Sequence, residues 1–195
     1  MRDLPALILF AFVSSGTPGP NNALLWASGL QFGFRATVPQ VLGTSAGIGI
    51  LALAVAAGLG VVVTGLPEVE LALKLVGSAY LLFLAFQLAG GAAIQRTQMA
   101  RPLRFHEAAA FQSLNPKAWL FALAAVSTFR PDDLPVAVGS AIVILTMVLV
   151  VIPTATIWAA GGTALHRLAT NRRTHRALNG ALALLLTLSI AFIWV

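Results

Sequence analysis

The sequence predicts an all-α integral membrane protein: six transmembrane helices forming two inverted three-helix repeats, with helices one and four broken. Three observations predict it. The 195-residue chain is 58% hydrophobic and only 9% charged, with a mean hydropathy of +0.90, against roughly 25% charged residues in soluble domains. Six apolar stretches approach or exceed the roughly 20 residues that a spanning helix needs. Two of them contain polar, proline-bearing clusters, "SSGTPGPNN" and "SLNPKAW", about half a chain apart. The runs lack the polar–apolar alternation of a membrane β-barrel, and the length suits one transporter-sized domain, 1–195, with repeats at about 1–95 and 105–195.

The expected spans are about Leu4–Leu30, Val38–Thr64, Glu70–Ile94, His106–Thr128, Leu134–Ala160 and Ala177–Val195. The start resembles a signal peptide in Arg2, Ala6–Val13 and Ser14-Ser15-Gly16, but Asp3 offsets the leading charge and apolar sequence resumes at Ala23–Ala27. The alternate connections carry Arg35, then Arg96, Arg101 and Arg104, then Arg167, Arg172, Arg173 and Arg176, eight basic residues in all. The opposite side carries three, Arg2, Lys74 and Arg130, mixed with acidic residues. By the positive-inside rule the arginine-rich loops are cytoplasmic and both termini face outward, with Trp194 as an interfacial anchor. The net charge of +6 is then loop charge, and nucleic acid is not an expected partner. Glu70 and Lys74 are spaced to pair on a helix, and Asp132-Asp133 after Arg130-Pro131 reads as a turn.

The halves echo each other. Span three contains "LVGSAYLLFL" and span six "LNGALALLLT", with a glycine at the same offset, and spans one and four share the proline breaks. Three spans per copy force the second copy to enter from the opposite side, the inverted construction common in secondary transporters.

Proline removes an N–H and clashes with the preceding turn. Pro18 and Pro20, with Gly16 and Gly19, should interrupt span one. The freed backbone groups are tolerated at membrane depth only where they face protein or a water-filled cavity. At 1.5 Å per residue, Lys117 lies about 15 Å in from Glu107 and Asn22 about 20 Å from Arg35, both near the middle of a ~30 Å core. Each break starts a new half-helix. Asn115-Pro116-Lys117 reads as N-cap, N1 and N2, and Pro20-Asn21-Asn22 offers similar groups. Helix N-termini favour an anion, Lys117 adds a full charge, and no Asp or Glu lies in the central part of any span. A midplane site for a carboxylate follows; a plain kink, with Asn21 and Asn22 bonding neighbouring helices and Lys117 snorkelling, is the structural alternative.

Those same residues carry a resemblance. "TPGPNN", "GFR" at Gly33–Arg35, "VGSAYL" and "LNPKAW" together resemble the LysE/RhtB amino-acid exporters over nearly the whole chain, and with "STF" at Ser127–Phe129 they look most like the cysteine/O-acetylserine branch. The resemblance implies ion-driven export of small amino acids or their derivatives across a bacterial inner membrane. It marks Pro18, Gly19, Pro20, Asn21, Asn115, Pro116 and Lys117 as site positions. Asn22, Ser15 and Gln112 join them from the reading of the breaks, with the carbonyls of Ser14, Ser15, Gln112 and Ser113 as acceptors for a substrate ammonium. Without a midplane carboxylate a neutral amino acid is favoured; export of basic amino acids or metal cations is the alternative. Lys117, Glu107 and His106 are the candidate proton carriers, the last two also reading as a polar interfacial pair.

Gly43-x-x-x-Gly47 in span two permits close helix packing, inside one subunit or in a homodimer. Pro153 with Thr154 and Thr156, and Tyr80, are candidate pathway or packing residues. No cysteine, His-Glu-x-x-His or Gly-x-Ser-x-Gly is present, so no disulfide, cofactor, metal site or enzymatic activity is expected. A membrane assembly protein, an intramembrane enzyme and a channel are the competing classes; one buried lysine makes a poor cation pore.

Overall fold

The computed structural model describes residues 3–59 and 101–168 continuously, with isolated helical positions between 68 and 86 and between 180 and 190. The expectations for Glu70–Lys74, Tyr80, Arg96, Trp194 and most of spans three and six lie outside the described residues. Every regular element among the described residues is helical.

α1 spans Leu4–Gly16, with Pro5 in its first turn, where the missing N–H costs nothing. It stops at Thr17, whose extended backbone leads into Pro18. α2 then starts at Pro20, again proline at the first helical position, and runs to Phe32. Gly33 turns the chain at φ 81°, a left-handed conformation that a side chain would strain, and α3 follows at once over Phe34–Ala54, widening into a π-type turn at Val55–Leu59. This helix begins before the expected Val38, because Gly33 sets its start and Pro39 is absorbed inside it.

α4, Phe105–Phe111, narrows into a single tight turn at Gln112–Leu114. After Asn115, α5 begins at Pro116 and runs to Phe129. The turn through Pro131–Pro135 holds Asp132 and Asp133, as read. α6 covers Val136–Leu168, well beyond the expected end at Ala160. The helix does not stop at Gly161-Gly162 because these glycines seat α2: a β-carbon on Gly161 would meet the Trp26 ring at 2.7 Å, and one on Gly162 would meet the Trp26 carbonyl. At 33 residues it is about 50 Å long, longer than the ~30 Å hydrocarbon core.

The packing is that of a protein whose outside is apolar. Leu9, Ile50, Leu53, Leu145 and Leu149 are exposed, whereas Asn22, Thr44, Gln112 and Asn115 are buried. That reverses the soluble pattern and matches lipid contact outside with polar contacts between helices. α3 and the long α6 helix are each long and apolar enough to cross a membrane. Leu7 and Ala11 of α1 pack in one core with Ile48, Phe121, Val143 and Met147; α1 is thus an integral part of the helix packing. The Gly43/Gly47 stripe packs internally: a β-carbon on Gly43 would collide with the Phe105 carbonyl, and one on Gly47 would lie 2.5 Å from that of Ala109. This close approach sets α4 against α3 and brings the second proline motif toward the first.

Candidate functional site

The two motifs meet. Lys117, in the first turn of α5, donates from Nζ to the Thr17 carbonyl at 2.8 Å, to Thr17 Oγ1 at 2.7 Å and to the Pro18 carbonyl at 3.1 Å. These acceptors lie just past the last turn of α1. An ammonium there is favoured by the dipole of α1, although it opposes that of α5, at whose start it sits. The three acceptors are neutral, and among the described residues no carboxylate pairs with the charge. Gly19 makes the approach possible: a β-carbon at that position would stand 3.1 Å from Lys117 Cδ and 3.3 Å from Nζ.

The asparagines serve the breaks differently from the capping expected of them. Asn22 Nδ2 reaches back to the carbonyls of Ser15, at 2.7 Å, and Thr17, at 2.8 Å, closing the C-terminal end of α1. Trp158 Nε1 bonds the Gly16 carbonyl at 3.1 Å from α6. Asn21 Oδ1 accepts from Thr44 Oγ1 of α3, at 2.9 Å, and from Gln112 Nε2, at 3.0 Å. Asn115 occupies the N-cap position of α5, but its side chain makes no capping bond. Its Nδ2 lies 3.4 Å from Gln112 Oε1, and its Oδ1 is buried with no hydrogen-bond partner. The turn at 112–114 is why: the Asn115 N–H is drawn to the Gln112 carbonyl, which turns the amide inward.

The carbonyls read as ammonium acceptors are each engaged. Ser14 accepts from Thr17 Oγ1, Ser15 from Asn22, Gln112 from the Asn115 N–H and Ser113 from Trp119 Nε1. Among the described cavity-lining side chains, Asn115 Oδ1 is a buried acceptor without a partner.

A cavity of about 40 Å³ lies between the two motifs, room for about three waters. Ser15, Gly19, Pro20, Asn21, Asn22 and Asn115 border it, as do Gln112 and Lys117. Pro18 and Pro116 do not; they shape the breaks from behind. Thr154, beside the helix proline Pro153, lines it too and bonds Ser15 across a 2.9 Å hydroxyl pair. Of the lining residues, Thr44 is one that the motifs do not announce; its signal is a hydroxyl flanked by the packing glycine Gly43. Among the described residues no Asp or Glu lines the cavity, and no His/Cys/Asp/Glu cluster able to hold a metal occurs.

His106 and Glu107 stand outside the cavity at the polar start of α4, just ahead of the buried Ala108. Glu107 forms a paired contact with Arg101, 2.7 Å from each carboxylate oxygen to a guanidinium nitrogen, and accepts the Arg104 N–H at 2.8 Å. The Arg101 hydrogen bonds foremost, then that of Arg104, hold its carboxyl well below the usual range, at about 2.

Comparison with known proteins gives the family. The family model described as LysE type translocator matches residues 12–193. The chain belongs to the LysE family. Among curated LysE relatives, a cysteine/O-acetylserine efflux protein of Escherichia coli (strain K12) is 32% identical over 189 residues, covering 94% of this chain and 93% of that protein. A protein of the same name from Shigella sonnei (strain Ss046) matches equally, and one from Salmonella typhimurium (strain LT2) is 32% identical over 129 residues, 65% of each chain. No solved structure matches the chain significantly.

Proposed function

We propose that this LysE family member is a secondary exporter of small neutral amino acids or their derivatives, of the cysteine/O-acetylserine type. It works in a bacterial inner membrane by ion-coupled alternating access. Its single domain holds six spans in two inverted repeats, with the arginine-rich loops cytoplasmic and both termini outside. α1 and α2 are halves of broken span one, and α4 and α5 are halves of broken span four. One observation carries the reading: Lys117, in the first turn of α5, places its ammonium on the Thr17 and Pro18 carbonyls between α1 and α2, beside the cavity, with no carboxylate partner among the described residues.

The relatives' names support the substrate class, and the cavity chemistry agrees with it. An incoming carboxylate would take Lys117 from the Thr17 and Pro18 carbonyls; Pro20, Asn21 and Asn22 at the start of α2 and Pro116 at the start of α5 supply the electropositive helix ends. The substrate ammonium would be received by Asn115 Oδ1, with Gln112 and Ser15 at hand. A second cationic group would find no carboxylate, which disfavours basic amino acids and metal cations. Since the cavity holds about three waters in this state, substrate must enter by parting the two breaks. Of the proton-carrier candidates, Lys117 alone borders the cavity; Glu107 and His106 belong to the mouth.

Proteoliposome counterflow with O-acetylserine, and with lysine as the cationic control, tests the assignment. O-acetylserine should exchange and lysine should not. Lys117→Ala, if monodisperse and folded, should abolish the exchange; undiminished flux in that variant would remove Lys117 from the site.

A further inference from the structure

Three buried polar residues lie along one face of α3. Thr37, Gln40 and Thr44 follow the i, i+3, i+7 spacing of a single helical face, with relative exposures of 0%, 0% and 2%. The outer two are bonded to α2: Thr37 Oγ1 donates to Ser28 Oγ at 3.3 Å, and Thr44 Oγ1 to Asn21 Oδ1 at 2.9 Å. These two pairs fix an antiparallel register in which the residue numbers sum to 65, since 37 + 28 and 44 + 21 agree. The register sets Leu25, fully buried and apolar, opposite Gln40. Val41, Leu25, Ala155 and Ala159 form an apolar cluster at this level. Neither the Nε2 nor the Oε1 of Gln40 has a hydrogen-bond partner.

An amide so placed is disfavoured relative to a leucine of similar size, because both polar atoms are desolvated without compensation. Packing alone gives no reason for it. Its position does: Gln40 lies five residues, about 7 Å of helix rise, from Arg35 at the start of α3, and one turn short of Thr44 in the cavity wall. We propose that Gln40 lines the route between the cavity and the Arg35 face, its amide meeting water and the passing zwitterion when α2 and α3 part, and that the structure holds this route closed. The inference rests on the cavity being the transport site. Gln40 acts on the path and has no contact with the Lys117 centre.

The chain has no native cysteine, so single-cysteine variants report without background. A membrane-impermeant maleimide is applied from either side of sealed vesicles, with Arg35→Cys marking its own face and Ala118→Cys marking the cavity wall. Gln40→Cys should label from the face that labels Arg35→Cys, about tenfold or more faster than from the other, as expected of a minor open state. Gln40→Leu should lower O-acetylserine counterflow about tenfold without lowering Tm, because the substitution removes an unpartnered polar group. Gln40→Cys unlabelled from both faces, or labelled chiefly from the far face, overturns the route; so does wild-type counterflow in Gln40→Leu. If Gln40→Cys misfolds, Thr37→Cys, one turn nearer Arg35, takes its place under the same criteria. O-acetylserine should also protect Ala118→Cys. Failure of that protection brings down the cavity reading itself, whereas protected Ala118→Cys with unreactive Gln40→Cys brings down the route alone.

Discussion

The two interruptions look alike in sequence and differ in chemistry. Aligned on the proline at the first helical position, Gly19-Pro20-Asn21-Asn22 matches Asn115-Pro116-Lys117-Ala118. The second helical position is thus an amide in one motif and an ammonium in the other, and both line one cavity. The first break is closed by donors: Asn22, Trp158 and Lys117 cover its carbonyls. The second tightens through a short turn and leaves one buried acceptor, Asn115 Oδ1, unpartnered. One break therefore receives positive charge, and the other keeps an unpartnered, buried carbonyl oxygen on a residue that borders the cavity. In the proposed function a zwitterion would carry the matching pair of charges, and two identical breaks would not make such a site.

The largest effect should come from erasing this difference. Lys117→Asn makes the second helical positions amides in both motifs, and losing the full charge that Lys117 brings to the cavity should cut counterflow about 100-fold or more, in line with truncating a buried charge from its partner. Adding Asn21→Lys returns the charge but on the wrong break, away from the Thr17 and Pro18 carbonyls and beside Thr44 and Gln112. The double variant should stay as inactive as the single one. Recovery to near the wild-type rate would mean that any cavity cation suffices and that the asymmetry is incidental.

A smaller change probes the other break. Asn115→Leu removes the unpartnered acceptor and keeps Lys117. The KM for O-acetylserine should rise about tenfold, the worth of one hydrogen bond to a charged group, while Tm holds or rises because a desolvated carbonyl oxygen is gone. An unchanged KM would move the ammonium elsewhere in the cavity; a fall in Tm would recast Asn115 as a structural residue.

Much of this geometry was legible in the residues because it is local. Proline and glycine dictate where α1 ends and where α2 and α5 begin, and the same rules put Lys117 in the first turn of α5. The charge and polarity of the two motifs identify which side chains must be satisfied. What the residues did not disclose is who satisfies them. Thr17 lies 100 positions from Lys117 and Trp158 lies 142 from Gly16; such pairings follow from the α3–α4 and α2–α6 close approaches, which no local pattern specifies. Asn115 illustrates the limit: its N-cap position follows from Pro116, but a tight turn before it decides that the amide faces inward. α6 runs past the expected Ala160 for a related reason: Gly161 and Gly162 are where Trp26 of α2 packs, a long-range contact.

The smallest effect should come from Glu107, a carboxylate near the site. Glu107 is the obvious acidic candidate for a coupled proton, yet it lies outside the cavity and is held ionised by Arg101 and Arg104. With its carboxyl held at about 2, below its ordinary value, any stabilisation it gives is present above the unfolded carboxylate range and is lost only as pH falls toward 2. Between pH 5 and 8 it does not change charge and has no proton to exchange. Glu107→Gln should therefore leave the pH profile of counterflow unshifted and the rate within about twofold, since exposed ion pairs contribute little. A profile displaced along the pH axis in Glu107→Gln would return the coupling role to the mouth, and the paired breaks would then bind substrate without carrying the proton.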